Sequence, residues 1–312
     1  MGRDRLAPLI AVASRSFSAD PLLRSALQEA FPNCRFNSAG LRLEGETLRT
    51  FLEGAAGAIV GVEPIDGCLI DRLPDLRVLS KYGVGLDTVD VERLAERGVT
   101  LAWTPGTNSG AVAELALLHM LAVLRRLPEA LDRVRCREWA PVTGRMLAGK
   151  TVGLVGVGHV GRALARLLEP FGCTVLGYDL APGDAPGIDF VTLHTLLSTS
   201  DVVSIHVPLS PATRHLIGEA QLALMKPTAI LVNTSRGEVV DQDALLRRLA
   251  EGRLAGAGLD VLAVEPPHDW AIADQRGVFI TPHLAGSSAE SNLAMGMAAI
   301  QGLVDNRARL ET

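Results

Sequence analysis

The 312-residue chain predicts an α/β fold built from two doubly wound parallel sheets. Short apolar runs alternate with helix-forming stretches along nearly the whole sequence. The alternation pauses at a long Ala- and Leu-rich stretch, residues 109–126, and resumes at Lys150 with seven further apolar runs. Strands separated by helices pair in parallel, and a parallel sheet is covered on both faces.

Residues 9–13 read as the first strand. Asp20-Pro21 then opens a helix over 21–30, the aspartate as cap and the proline in the first turn, where a missing N–H costs nothing. Strands follow at 58–62, 76–80 and 99–103, with a helix at 91–97. Residues 109–126, uniformly helix-forming, lead out of this first unit. The second unit has strands at 151–155, 174–178, 190–193, 202–206, 229–233, 256–260 and 278–281, with helical stretches between most of them. Residues 287–310 form an amphipathic helix with room to cross back. The first domain is therefore expected to be discontinuous, residues 1–101 with 285–312, around a second domain of residues 102–284.

Composition narrows the function classes. Hydrophobic residues make up 48% and charged residues 21%, an ordinary globular balance that excludes disordered and coiled-coil chains. Lys and Arg total 30 against 35 Asp and Glu, and no basic cluster interleaves with aromatics, so nucleic acid is not an expected partner. Cys34, Cys68, Cys136 and Cys173 are too far apart for CxxC pairs and read as reduced thiols of a cytoplasmic protein. Arg3 and Arg5 ahead of the apolar run 6–13 mimic a secretion leader, with Ala11-Val12-Ala13 as its cleavage site. That run is short, contains Pro8 and leads into the helix start at Asp20, so a first β-strand is the better reading. The longest apolar helical stretch, 111–124, is broken by Glu114 and His119 and falls short of the ~20 residues a bilayer requires. No GxSxG elbow, HExxH or Cys/His cluster proposes a hydrolase triad or a metal.

The second domain opens with a glycine-rich loop. Strand 151–155 runs into Gly156-Val157-Gly158-His159-Val160-Gly161, and a helix follows. Gly156 is expected to make the tight turn, Gly158 to let backbone approach a pyrophosphate, and Gly161 to let the helix pack on the strand. The helix N-terminus offers free N–H groups to phosphates, and His159 reads as solvated or phosphate-adjacent. The next strand delivers Asp179, 18 residues beyond Gly161, where a carboxylate can accept both ribose hydroxyls. A carboxylate there repels a 2′-phosphate, and Leu180-Ala181 supplies no arginine to neutralise one. NAD, not NADP, is the expected cofactor.

Three later strands each end in a chemically competent residue. Arg236 follows strand 229–233, Glu265 follows 256–260, and His283 follows 278–281. In an open parallel sheet, ligands bind beyond the carboxyl ends of the strands, so the three share a rim with the dinucleotide. Arg236 can hold a substrate carboxylate in bidentate fashion. His283 can take and return a hydroxyl proton, and Glu265 can fix its tautomer and raise its pKa. That trio suits hydride transfer at a small anionic 2-hydroxy acid. His206 and His268 are the rival bases; His206 reads as lining the cofactor pocket and His268 as solvent-facing.

With these residues in view, the chain resembles the D-isomer specific 2-hydroxyacid dehydrogenase family, which contains D-3-phosphoglycerate dehydrogenases, glyoxylate/hydroxypyruvate reductases and formate dehydrogenase. The matching stretches are Lys81-Tyr82-Gly83-Val84-Gly85-Leu86-Asp87, Asn108 through Glu114, the glycine loop with Asp179, His206-Val207-Pro208-Leu209, Asn233-Thr234-Ser235-Arg236-Gly237-Glu238, Gly258-Leu259-Asp260-Val261 with Glu265-Pro266, and Thr281-Pro282-His283-Leu284. The resemblance implies a Rossmann NAD-binding domain and a flavodoxin-like substrate domain with a cleft between them. It implies Arg236, Glu265 and His283 as catalytic residues and Asp260 as the anchor of the nicotinamide carboxamide. It extends the cofactor contacts to Val160, His206, Val207, Pro208, Thr213, Thr234, Ser235, His283 and Gly286. Val84 and Gly85 would bind the substrate carboxylate through their backbone, supported by Asn108, and the protein would be a homodimer.

The substrate is expected to be 3-phosphoglycerate, with Lys81 either receiving its phosphate or standing as a solvated lysine. Glyoxylate/hydroxypyruvate reduction is the alternative. A protein that senses NAD without turnover is the alternative of another class. Ala111, where many phosphoglycerate dehydrogenases carry serine, leaves the substrate open.

Overall fold

A computed structural model describes residues 7–311, so Arg3 and Arg5 of the leader-like start lie outside the described residues. The chain divides into two compact units, Met1–Asn108 with Ala289–Thr312, and Ser109–Ser288.

The first unit holds a five-stranded parallel sheet of β1 (Ile10–Val12), β2 (Cys34–Phe36), β3 (Gly57–Val60), β4 (Val78–Lys81) and β5 (Thr100–Ala102), in the order β2-β1-β3-β4-β5. Period-two alternation covers both faces. Ile10 and Val12 enter one core with Phe17, Leu23 and Leu303, while Ala11 and Ala13 enter another with Leu48, Ile70 and Leu79. Each fully buried aliphatic side chain contributes about 1.5–3 kcal/mol. The helix Pro21–Ala30 starts where its cap predicts, with Asp20 Oδ1 accepting the N–H groups of Leu22 at 2.8 Å and Leu23 at 3.2 Å. The terminal helix Ala289–Asp305 packs on this sheet, where Ser80 Oγ donates to the Ala299 carbonyl at 2.7 Å. A Cβ on Gly296 would lie 2.4 Å from the Leu23 side chain, so any larger residue there would displace Leu23.

The second unit holds a seven-stranded parallel sheet of β6 (Thr151–Val155), β7 (Thr174–Tyr178), β8 (Asp189–Phe190), β9 (Val202–Ile205), β10 (Ile230–Asn233), β11 (Gly256–Leu259) and β12 (Val278–Ile280). Its order is β12-β11-β10-β9-β6-β7-β8. Ile230 and Val232 face a core with Ala116, Met120 and Leu154, while Leu231 faces one with Leu196, Val203 and Leu245. The strand order reverses between β6 and β9, which opens a ligand crevice at their carboxyl ends. No helix among the described residues is long and apolar enough to cross a membrane.

Several boundaries differ from expectation. The first unit runs on past Ala102 to Asn108, because Trp103 Nε1 donates to the Val84 carbonyl at 3.0 Å and ties that segment back to the sheet. The helix Ser109–Leu124 opens the second unit and packs on β10 and β11. β8 is shorter than expected, because Thr192 caps the helix Leu193–Thr199 by accepting the Thr195 N–H. The edge strand β2 has no counterpart in the sequence reading.

Candidate active site

The glycine loop connects β6 to the helix His159–Leu168. Gly156 has φ +98°, and a Cβ on it would lie 2.7 Å from the His206 carbonyl, so its role includes letting the β9 loop pack against it. A Cβ on Gly161 would lie 2.4 Å from the Gly156 oxygen, which explains the close helix–strand approach. A Cβ on Gly158, by contrast, would meet nothing within 4 Å, and the helix start above it has no side-chain cap. His159 is exposed there and Val160 half-buried. Open space beside uncapped N–H groups is the geometry a pyrophosphate fits.

Asp179 stands at the end of β7, its Oδ2 accepting the Val157 N–H at 2.8 Å and its Oδ1 the Ala181 N–H at 3.0 Å. Each oxygen keeps a lone pair, so the carboxylate is fixed yet still able to receive ribose hydroxyls. Arg162, which the sequence reading passed over, braces this end: its Nε donates to the Val157 carbonyl at 2.9 Å and its guanidinium also reaches the Asp184 carbonyl. After β9, Val207 and Pro208 continue a loop that Thr213 closes, its hydroxyl donating to the Pro208 carbonyl at 2.6 Å. Burial holds His206 down at about 4, so its imidazole is neutral, and its Nε2 has no hydrogen-bond partner among the described residues. Thr234 Oγ1 is likewise buried without one. These orphaned atoms, with the Gly158 opening, leave polar capacity for a dinucleotide.

Two of the three strand-end residues meet directly in this unit, and Arg236 acts on both through its charge. His283 Nδ1 lies 2.6 Å from Glu265 Oε2. This contact pushes the His283 pKa up, against a smaller opposing effect of burial. Burial pushes the Glu265 carboxyl up, but hydrogen bonds from His283 and the Leu262 N–H, with the charges of His283 and Arg236, bring it below the usual carboxylate range. Both side chains are partly open to solvent, 49% and 35% exposed. His268 is exposed and outside this pair.

Supporting residues set the trio in place. Asn233 is buried at the end of β10, where its Nδ2 donates to the Arg236 carbonyl at 2.9 Å and its Oδ1 accepts the Ser235 N–H and hydroxyl. Gln242 Oε1 accepts the Ala263 N–H at 3.0 Å and steadies the segment leading to Glu265. Asp260 carries a structural role beyond the expected one. It is only 1% exposed, and its carboxylate accepts the Thr281 hydroxyl at 2.5 Å and the N–H groups of Leu284 at 2.9 Å and Ala285 at 2.8 Å. Those bonds staple the loop carrying His283 and the turn before Gly286, a structural duty that the nicotinamide-anchor reading did not include. The staple holds His283 at φ 51°, a region non-glycine residues seldom occupy. Arg236, Asn233 and Asp260 were legible as motif members; Gln242 and Arg162 carried no motif signal.

In the first unit, Val84 and Gly85 follow β4 in a half-buried loop, and Asn108 lies in the turn before Ser109. Lys81 is 6% exposed and its ammonium donates to the Gly61 carbonyl, so it is not the solvated lysine of one reading.

Residues 117–285 match the family model described as D-isomer specific 2-hydroxyacid dehydrogenase, NAD binding domain. The chain belongs to that family. It is 39% identical over 255 residues to a glyoxylate reductase of Thermococcus litoralis, covering 78% of this chain and 77% of that protein. It is 33% identical over 289 residues to a hydroxypyruvate reductase of Thermotoga maritima, covering 90% and 94%. The crystal structure of D-lactate dehydrogenase from Aquifex aeolicus complexed with NAD and lactic acid superposes with a TM-score of 0.85 at 26% identity, covering 97% and 96% of the chains. This family member is thus an NAD-dependent 2-hydroxyacid dehydrogenase.

Proposed function

We propose that the protein is a 2-oxoacid reductase of the glyoxylate and hydroxypyruvate type. The names of the relatives favour this reading over the expected 3-phosphoglycerate. The burial of Lys81 supports it, since an ammonium only 6% exposed and turned to the Gly61 carbonyl offers little access to a distal phosphate.

The observation that carries the chemistry is the 2.6 Å contact between His283 and Glu265. In this proposal protonated His283 gives its proton to the substrate carbonyl oxygen as C2 is reduced, and Glu265 stabilises the imidazolium beforehand. Arg236 holds the substrate carboxylate. NAD in its reduced form supplies the hydride when bound. Gly156, Gly158 and Gly161 with Val160 are assigned to its pyrophosphate, Asp179 to its ribose, and His206, Val207, Pro208, Thr213, Thr234, Ser235, Asp260 and Gly286 to the surrounding pocket. A homodimer goes with this reading, supported by the exposed Leu131, Val134 and Trp139.

Steady-state NADH oxidation with glyoxylate, hydroxypyruvate, pyruvate and 3-phosphohydroxypyruvate tests the assignment. The highest kcat/KM is expected with glyoxylate or hydroxypyruvate; a clear preference for the phosphorylated acid overturns it, and NADH binding without turnover of any acid makes the chain a sensor.

A further inference from the structure

His119 belongs to no motif, yet it is fully buried on the inner face of the helix Ser109–Leu124. Its Nε2 lies 2.9 Å from Thr281 Oγ1. The Thr281 hydroxyl has a single proton and gives it to the Asp260 carboxylate at 2.5 Å. The hydroxyl oxygen can therefore only accept from His119, which fixes the imidazole as the Nε2–H tautomer. Its Nδ1 is buried with no hydrogen-bond partner among the described residues. Burial keeps the ring uncharged, pushing its pKa from 6.5 to about 4 against the opposing Asp260 charge and a smaller opposing effect of the Gly258 backbone.

The ring has little freedom to turn. Phe279 packs against it with centroids 5.0 Å apart. On β11 a Cβ at Gly258 would come within 2.8 Å of both His119 Cβ and Nδ1. A locked donor thus meets a hydroxyl whose own proton is aimed at the carboxylate that staples residues 284 and 285. The His283 N–H closes the circuit by donating to the Asp260 carbonyl at 2.8 Å.

We propose that His119 is a positioning residue for catalysis, acting through Thr281 and Asp260 to hold the His283 loop in the geometry that pairs His283 with Glu265. The proposal rests on the reading of His283 as the acid/base. Without the His119 donor the Thr281 hydroxyl is free to rotate away from Asp260, the staple loosens, and the contact of His283 with Glu265 lengthens. The groups that face His283 electrostatically are Glu265, Arg236 and Asp260, and the first of these dominates.

The test compares H119L, H119Q, T281V and H283A in the intact protein, with kcat and KM profiles against pH and the His283 ring titration followed by NMR. H119L is expected to lower kcat about 10-fold with little change in KM, as loss of a supporting hydrogen bond behind a functional imidazole typically does. Its His283 titration moves to lower pH. H119Q, whose amide can still donate to Thr281, stays near wild type in both. T281V reproduces H119L, and the double variant is no worse than either single one. A wild-type His283 titration and kcat in H119L, with only lowered thermal stability, overturns the proposal. If H119L does not fold, an unchanged titration in T281V overturns it equally. Full turnover in H283A instead sinks the reading of His283 itself, so the two failures are separable.

Discussion

His119 and His283 lie in the same unit and are joined through one aspartate, yet their environments drive them in opposite directions. His283 is half-exposed against a carboxylate 2.6 Å away, so its charged form is stabilised and its pKa rises. His119 is sealed among Phe279, Gly258 and Thr281, so its charged form is penalised and its pKa falls to about 4. Burial alone does not decide which way a histidine pKa moves; a paired carboxylate and access to solvent do.

The largest expected effect comes from breaking the active half of the pair. His283→Ala is expected to lower turnover by about 10²–10⁴-fold while NADH binding persists, the usual consequence of removing a general acid/base. Stopped-flow turnover and fluorescence titration of NADH measure the two separately; retained turnover assigns the proton transfer elsewhere.

Glu265→Gln sharpens the contrast by keeping a hydrogen-bond acceptor and deleting its charge. The His283 pKa then falls. Reduction needs His283 protonated, so the high-pH limit of the kcat profile moves to lower pH. An unmoved limit shows that the carboxylate is not what raises this imidazole.

The buried half has its own signature in stability. A group whose folded pKa is depressed while it is neutral resists protonation, so the unfolded chain binds more protons and stability falls as pH drops. For His119 the loss begins near 6.5 and is complete near 4, amounting to about 3 kcal/mol at ~1.4 kcal/mol per pH unit. His119→Gln, which does not titrate, is expected to flatten the decline between pH 6.5 and 4 in denaturant melts; a decline as steep as in the wild type places the acid sensitivity in other groups.

The smallest effect is a control in the other unit. Ser80→Ala removes the 2.7 Å bond to Ala299 and is expected to lower stability by about 1 kcal/mol. Neither imidazole titration moves, so any shift in His283 shows that loss of stability alone can mimic loss of positioning.

Much of this molecule is legible because its signals are local. The glycine loop, the Asp20 cap and the apolar runs of β6, β9, β10 and β11 are written in consecutive residues, and a parallel sheet then sends every strand's carboxyl end to one rim. Arg236, Glu265 and His283 could be placed together on that ground alone. β2 was missed because Cys34–Phe36 is a three-residue, half-buried edge strand with a charged residue in its middle, too short for periodicity to register.

The sequence by itself determined the fold class, the glycine loop and which side chains stand at the strand ends, since each follows from nearest-neighbour backbone preferences and strand connectivity. Only the tertiary structure decided that Lys81 turns to the Gly61 carbonyl, that Asp260 spends its carboxylate on residues 281–285, and that His119 meets Thr281 across 162 residues of chain. Those contacts depend on how the helix Ser109–Leu124 seats on β11 and how successive loops crowd the sheet's rim. Close packing, which has no signature in any short stretch of sequence, sets them.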